Sequence, residues 1–289
     1  MTVVSVLNTW EELANVAAWS DLASSCDGSP FMWPSFSLPW WYEVGQGTVT
    51  GITVEESGDL VGLALLYEVP VGWGRRAVRF LGHGSGSYGQ LLVAEERPDV
   101  TAVLWERLIS PKRHVQLDAI PSGLVDGYLR ASPVPLAVSR HPGRRCSWSR
   151  GDAVREGISV SGARVRRVTR PEESVALVDA QIRTGGTGVS AQTRAFMLAA
   201  VDASARVGRL TLHVAEPAPG AAAISVVLHG AKTSAVWREF RESVGTSCDA
   251  LLADAVIREA LERGTEQIVW PPGFDVSGQG EFPLRDCHT

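Results

Sequence analysis

Apolar positions recur with two different periods along the chain, and the period marks the elements. Thr9 followed by Glu12 has capping-box spacing, and Leu13, Val16, Ala17 and Leu22 fall on one side of a helix running to about Ser25, so a helix is expected to open the protein. The next stretch, SPFMWPSFSLPWWYEVG, holds three prolines, three tryptophans and three other aromatic residues and is expected to pack as an anchored loop with a short helix. From Thr48 the period shortens. TVTGITVEESGDLVGLALLYEVPVG reads as two β-rich runs around a Glu-Ser-Gly-Asp turn, with Ala77 to Leu81 as a third. Residues 99 to 109 then show helical spacing, and HVQLDAI reads as a strand.

The second half begins near Gly162. Its predicted order is a strand (Arg164 to Val168), a helix (Glu172 to Arg183), a TGGTG turn, and a helix (Ala191 to Arg206) with Gly208 beyond its end. Three strands follow, Arg209 to Ala215, Ala221 to His229 and Thr233 to Glu242, as an antiparallel meander. Thr246 with Asp249 forms another capping box before DALLADAVIREALERG, whose Leu251, Leu252, Ala255, Val256 and Ala260 make an apolar stripe ending at Gly264. Glu266 to Trp270 is the last predicted strand.

Composition adds a domain count. At 289 residues, 45% hydrophobic and 20% charged, the chain is expected to fold throughout around two cores. A Pro, Gly and Arg-rich stretch from Pro133 to Gly151 divides it, giving halves at 1–138 and 162–289 joined by 139–161. The first twenty residues lack the basic start and apolar run of a secretory signal, and the apolar stretch Leu60 to Val71, broken by Gly62, Glu68 and Pro70, falls short of the roughly 20 residues that cross a bilayer. Cys26, Cys146, Cys248 and Cys287 are far apart and show no zinc spacing, which reads as reduced structural thiols. A cytoplasmic protein without membrane attachment, metal or permanently bound cofactor is expected.

Charge is distributed unevenly. Between Ser139 and Arg170 nine arginines meet only Asp152 and Glu156, so this segment carries +7 and the remainder −12 of the net −5. Arginine outnumbers lysine 25 to 2, which suits forked contacts to phosphate or carboxylate as well as it suits a solvated linker.

The order β-α-α-β-β-β-α-β of the second half resembles the core of the GNAT acyltransferases. Four motifs narrow the likeness: Ser29-Pro30-Phe31-Met32-Trp33-Pro34-Ser35-Phe36, the run Gly58-Asp59-Leu60-Val61-Gly62 to Tyr67, Phe80-Leu81-Gly82 through Tyr88 to Val93, and the closing helix from Thr246 to Gly264. In this order they resemble the CelD/BcsL-type GNAT-like proteins, relatives of the FemABX aminoacyltransferases. The resemblance implies an α/β fold of tandem GNAT-like halves with mixed, largely antiparallel sheets facing a shared cleft. It implies transfer of an acyl or aminoacyl group to an amine of a small molecule or peptide, with acyl-CoA or aminoacyl-tRNA as co-substrate and tRNA as a partner in the second case. The sequence departs from the pattern at Ser87, where an acidic residue is typical, and in the ending PPGFDVSGQGEFPLRDCHT, where a Tyr-Lys pair is usual.

Acyl transfer to an amine needs a proton acceptor, donors for the developing oxyanion and a site for the donor's anionic groups. Trp237, Glu239 and Arg241 share one face of their strand by alternation, so Glu239 is the candidate base and Arg241 a candidate anion ligand. Thr246 and Ser247 begin a helix whose N-terminus can bind phosphate, although Arg241-Glu242-Ser243-Val244-Gly245 retains one glycine of the coenzyme A loop. Tyr88, in the glycine-rich HGSGSY turn, is the candidate proton donor, and Arg166 and Arg167 are candidate donor-binding residues from the basic segment. His213 and His229 sit at strand positions and read as packed or surface residues. The competing reading is a degenerate GNAT-like protein that binds a ligand or partner without catalysis. A serine hydrolase built on HGSGS is disfavoured, because neither Ser85 nor Ser87 has the GxSxG elbow.

Overall fold

A computed structural model describes residues 2–16, 18–26, 28–70, 76–85, 89–94, 97–108, 114–115, 117, 127–128, 130, 145–147, 164–184, 189–218, 221–241 and 247–270. The chain divides into two compact units, Met1–Ser139 and Arg140–Thr289.

The first unit opens on a strand, β1 (Thr2–Leu7), and not on the expected helix. TVVSVL is rich in β-branched residues, which lose rotamer freedom in a helix and fit a pleated surface. The predicted single helix is split into α1 (Trp10–Ala14), with the Thr9/Glu12 capping box intact, and α2 (Trp19–Ser25). A 3₁₀ turn at Pro30–Met32 leads into α3 (Pro34–Val44), longer than expected, with Pro34 in its first turn where a missing N–H costs nothing. Strands β2 (Thr48–Glu56) and β3 (Asp59–Pro70) form the predicted hairpin. Ser57 and Gly58 both have positive φ, 53° and 95°, the twist a two-residue hairpin turn requires. Then come β4 (Arg76–Phe80), β5 (Leu92–Val93), α4 (Pro98–Leu108) and β6 (His114–Val115).

These strands make a sheet of order β1-β2-β3-β4-β6, with β5 also pairing with β3. All pairs are antiparallel except β4 with β6, which is parallel. Trp19, Phe31, Met32, Phe36, Leu63 and Leu65 are buried in its core. The aromatic-proline stretch is anchored as predicted: Trp19 Nε1 donates to the Met32 carbonyl at 2.7 Å, and the Ser29 amide donates to Gln90 Oε1 at 3.0 Å.

The second unit contains β7 (Arg145–Ser147), β8 (Arg164–Val168), α5 (Pro171–Thr184), α6 (Ala191–Arg206), β9 (Leu210–Ala218), β10 (Ala221–His229), β11 (Thr233–Arg241), α7 (Ser247–Glu262) and β12 (Gln267–Val269). Its sheet has the order β7-β12-β11-β10-β9-β8. The strand β7 falls within the stretch read as a connection and pairs antiparallel with β12. A four-strand antiparallel meander, a helix and a returning parallel strand appear in each unit: β1 to β4, α4 and β6 in the first, β8 to β11, α7 and β12 in the second. In both units helices intervene between the first and second meander strands. The chain is thus a mixed α/β protein whose two halves repeat one topology. No helix of the described residues is long and apolar enough to cross a membrane.

Candidate functional site

Strand β11 is the element around which the second half is organised. It pairs antiparallel with β10 from Ser234 to Arg241, but its parallel partner β12 runs beside it only from Thr233 to Ala235. The register with β10 shifts at Trp237: Val227 opposes Val236 and Val226 opposes Arg238. Such a bulge bends its strand and re-aims the backbone, often beside active sites. It also corrects the sequence reading, because simple alternation does not pass through it. In the pairing pattern residue 239 is in phase with Val236 and not with Trp237.

Trp237 is buried and meets Phe196 of α6 edge-on, with ring centroids 5.5 Å apart. Arg238 stands 6.0 Å from the Trp237 ring centre, and burial lowers the pKa of its guanidinium. Past the end of β11, α7 starts at Ser247. Its second residue, Cys248, is a buried thiol packed with Ala215, Ala223, Leu252 and Val165, which seats the start of the helix on the sheet.

The candidate residues distribute as follows. Glu239 lies opposite Ser225, which in turn lies opposite His213, so the three occupy one row across the sheet; Arg241 lies opposite Ala223. The side chains of Glu239, Arg241 and Ser247, and all of Tyr88 and Thr246, lie outside the described residues. Arg166 and Arg167 are described, and both are engaged by carboxylates. Arg166 contacts Glu173 at 2.5 Å and Glu216 at 3.3 Å, and Arg167 contacts Glu262 at 3.1 Å and Glu259 at 3.8 Å. In the first half Ser85 donates its hydroxyl to the Gly82 carbonyl, so it closes its own turn.

A second constellation was not among the sequence candidates. Glu259 of α7 is 2% exposed, and its carboxylate collects three donors: Thr211 Oγ1 at 2.8 Å, His213 Nε2 at 2.8 Å and Arg263 Nε at 3.0 Å. Hydroxyl arithmetic fixes the directions of the remaining bonds. Thr211 gives its one proton to Glu259, so its oxygen accepts from His229 Nε2, 3.1 Å away. His229 Nδ1 then accepts from Ser234 Oγ at 3.0 Å, and Ser234 accepts from Thr265 at 3.3 Å. Burial alone would raise the Glu259 carboxyl, but its partners, led by His213, outweigh it and hold the group at about 2. Burial first, and then the Arg263 charge, push His229 down to about 3. His213 and His229 are packed residues, as the sequence implied. Their shared partner had one legible signal: Glu259 stands seven residues after Leu252, inside the apolar stripe of α7, where a carboxylate needs internal partners. Among the described residues no group of three or more His, Cys, Asp or Glu is placed to hold a metal ion.

No protein-family model matches the chain, and no curated sequence matches it. Solved structures do. FemX superposes with a TM-score of 0.60 at 8% identity, covering 95% of this chain and 91% of that one. A conserved protein of unknown function from Bacteroides thetaiotaomicron VPI-5482 gives 0.57 at 13% identity, covering 95% and 93%. A tandem GNAT protein from the clavulanic acid biosynthesis pathway covers 96% and 92% at 15% identity, with a TM-score of 0.47 that is too low to add to the case. The likeness to FemX spans both halves and establishes a shared fold.

Proposed function

We propose that this protein is an acyltransferase that moves an acyl or aminoacyl group from an activated thioester or ester to an amine of a small molecule or peptide. The observation that carries the reading is the bulge at Trp237, on a strand whose parallel neighbour runs only as far as Ala235 and which is the element preceding α7 in the chain. A re-aimed strand backbone beside a helix N-terminus offers amide donors to a carbonyl oxygen and to an anionic carrier. In the reaction the amine nitrogen forms a C–N bond to the carbonyl carbon. The C–S bond to coenzyme A, or the C–O bond to a tRNA ribose, breaks, and the leaving group takes a proton. Glu239 accepts the amine proton in this scheme, Tyr88 supplies the leaving group's proton, and Arg241, Thr246 and Ser247 hold the donor.

Ion pairing favours acyl-CoA over aminoacyl-tRNA as that donor. A phosphate reaching Arg166 or Arg167 must compete with the carboxylates already on them. Replacing both arginines by alanine is expected to change donor affinity less than about twofold. Under tRNA binding through these two residues, the log–log salt slope would instead flatten by about two; filter binding across a salt series distinguishes the results.

The decisive assay incubates the protein with labelled acyl-CoAs, charged tRNAs and a panel of amines. Amide product from any combination supports catalysis; donor binding without product supports the degenerate, ligand-binding reading. Once a substrate pair is found, Glu239→Gln is expected to lower turnover about 10²-fold with donor affinity kept. Turnover within twofold of the parent removes Glu239 from the site.

A further inference from the structure

Among the described residues, the first unit carries a sheet edge that lacks the charge, proline or bulge by which edges are kept from pairing. Strand β1 (Thr2–Leu7) ends the order of its sheet, and its sequence TVVSVL has no charge, proline or glycine. Its pairing with β2 is regular over all six residues, from Thr2 opposite Glu56 to Leu7 opposite Gly51, without a bulge. Edge strands are ordinarily blunted by lysine, proline, a bulge or shortness. Val3 and Val6 are also 41% and 46% exposed, two of the four large hydrophobic residues that are exposed among those described.

The geometry points to self-association of this protein through β1, antiparallel, with a second copy across a two-fold axis at Ser5. A two-fold normal to the sheet keeps each face on its own side, so opposed residues must share parity. Centring on Ser5 sets Val3 against the other copy's Leu7 and Val4 against its Val6, with the reciprocal pairs completing the match. Every apolar residue from Val3 to Leu7 then meets an apolar residue, and both exposed valines are covered. Centring on Val4 sets Val3 against Ser5 and Val6 against Thr2, which mixes apolar with polar. Five apposed pairs, polar only at the axis, select a second copy as the occupant over a chain of unrelated sequence. The two six-stranded sheets of the first units would then run on as one.

A single strand pair lies at the small end of specific interfaces, so association should depend on concentration, between about 1 and 100 µM. The test is sedimentation velocity on the full chain over that range. The wild type is expected to shift from monomer to dimer. Ser5→Asp apposes two carboxylates at the axis and should weaken dimerisation at least tenfold, whereas Ser5→Thr should retain it. In a complementary experiment, mild oxidation should cross-link Ser5→Cys between copies, because opposed Cβ atoms across strands are about 5 Å apart. Val3→Cys should not link, since its symmetry mate lies four residues away along the strand, about 14 Å. A wild type that stays monomeric to 100 µM overturns the proposal. So does a dimer that survives Ser5→Asp and leaves Ser5→Cys unlinked.

Discussion

Glu259→Ala is expected to destabilise the second unit by about 3 kcal/mol or more, the largest loss predicted for any single side chain in the network. The substitution takes the acceptor away from Thr211 and His213, both buried, and from the Nε–H of Arg263. A buried donor stripped of its partner costs roughly 1–3 kcal/mol, and removing one member of a buried charged pair about 3–5. Helix propensity does not contribute to the loss, because alanine is the better helix former. Glu259→Gln keeps the volume but turns an N–H₂ toward donors, so it should fall between alanine and the wild type. Urea unfolding at pH 7 measures both. If the alanine variant lies within about 1 kcal/mol of the parent, the network does not hold α7 to the sheet.

Acidification should act through the same cluster. His229 is held near 3 in the folded protein against an ordinary 6.5, so it stays neutral in the fold while the unfolded chain takes up a proton. Its contribution is therefore complete above about pH 6.5 and is lost progressively as the pH falls toward about 3. Glu259, near 2 against an ordinary 4.5, acts in the same direction over a lower range, its contribution disappearing from about pH 4.5 downward. Each proton bound by the unfolded state alone tilts stability by about 1.4 kcal/mol per pH unit, so the His229 step dominates between pH 6 and 4.5. The charged or titratable groups around His229 are Glu259 from α7, Arg263 just past the end of that helix, His213 from β9, and Arg209, whose Nη1 donates to the His229 carbonyl at 3.4 Å. Urea midpoints of the wild type should fall across that window, and those of His229→Gln should fall by about one proton's slope less. Identical pH slopes in the two proteins would mean that His229 already titrates in the folded state.

Much of the architecture is legible in local periodicity. Alternation over Leu210, Leu212 and Val214, the hairpin turn at Ser57-Gly58 and the 3.6-residue stripe of α7 are short-range patterns. They specify elements whose ends the structure moves by only one to a few residues. The opening failed for an equally local reason. The capping box at Thr9 is legible and present, but the β-branched run ahead of it has no helical signal of its own and becomes a strand by pairing with β2.

The sequence by itself determined most of the succession of strands and helices, since each of those elements follows from spacing within a few residues; the repeat of one topology in the two halves appeared only in the pairing of the strands. Only the tertiary structure decided three other things. It placed a bulge at Trp237, because register is settled by the pairing between two strands and not by the alternation within one. It engaged Arg166 with Glu173 and Glu216, and Arg167 with Glu262, so these two arginines of the basic segment are paired with carboxylates from elements distant in sequence or adjacent in the fold. It also gathered Glu259, Thr211, His213, His229, Ser234 and Thr265 into one buried network from positions up to 54 residues apart. Burial makes each of these polar groups costly unless it is partnered, and chain topology alone brings the partners within reach.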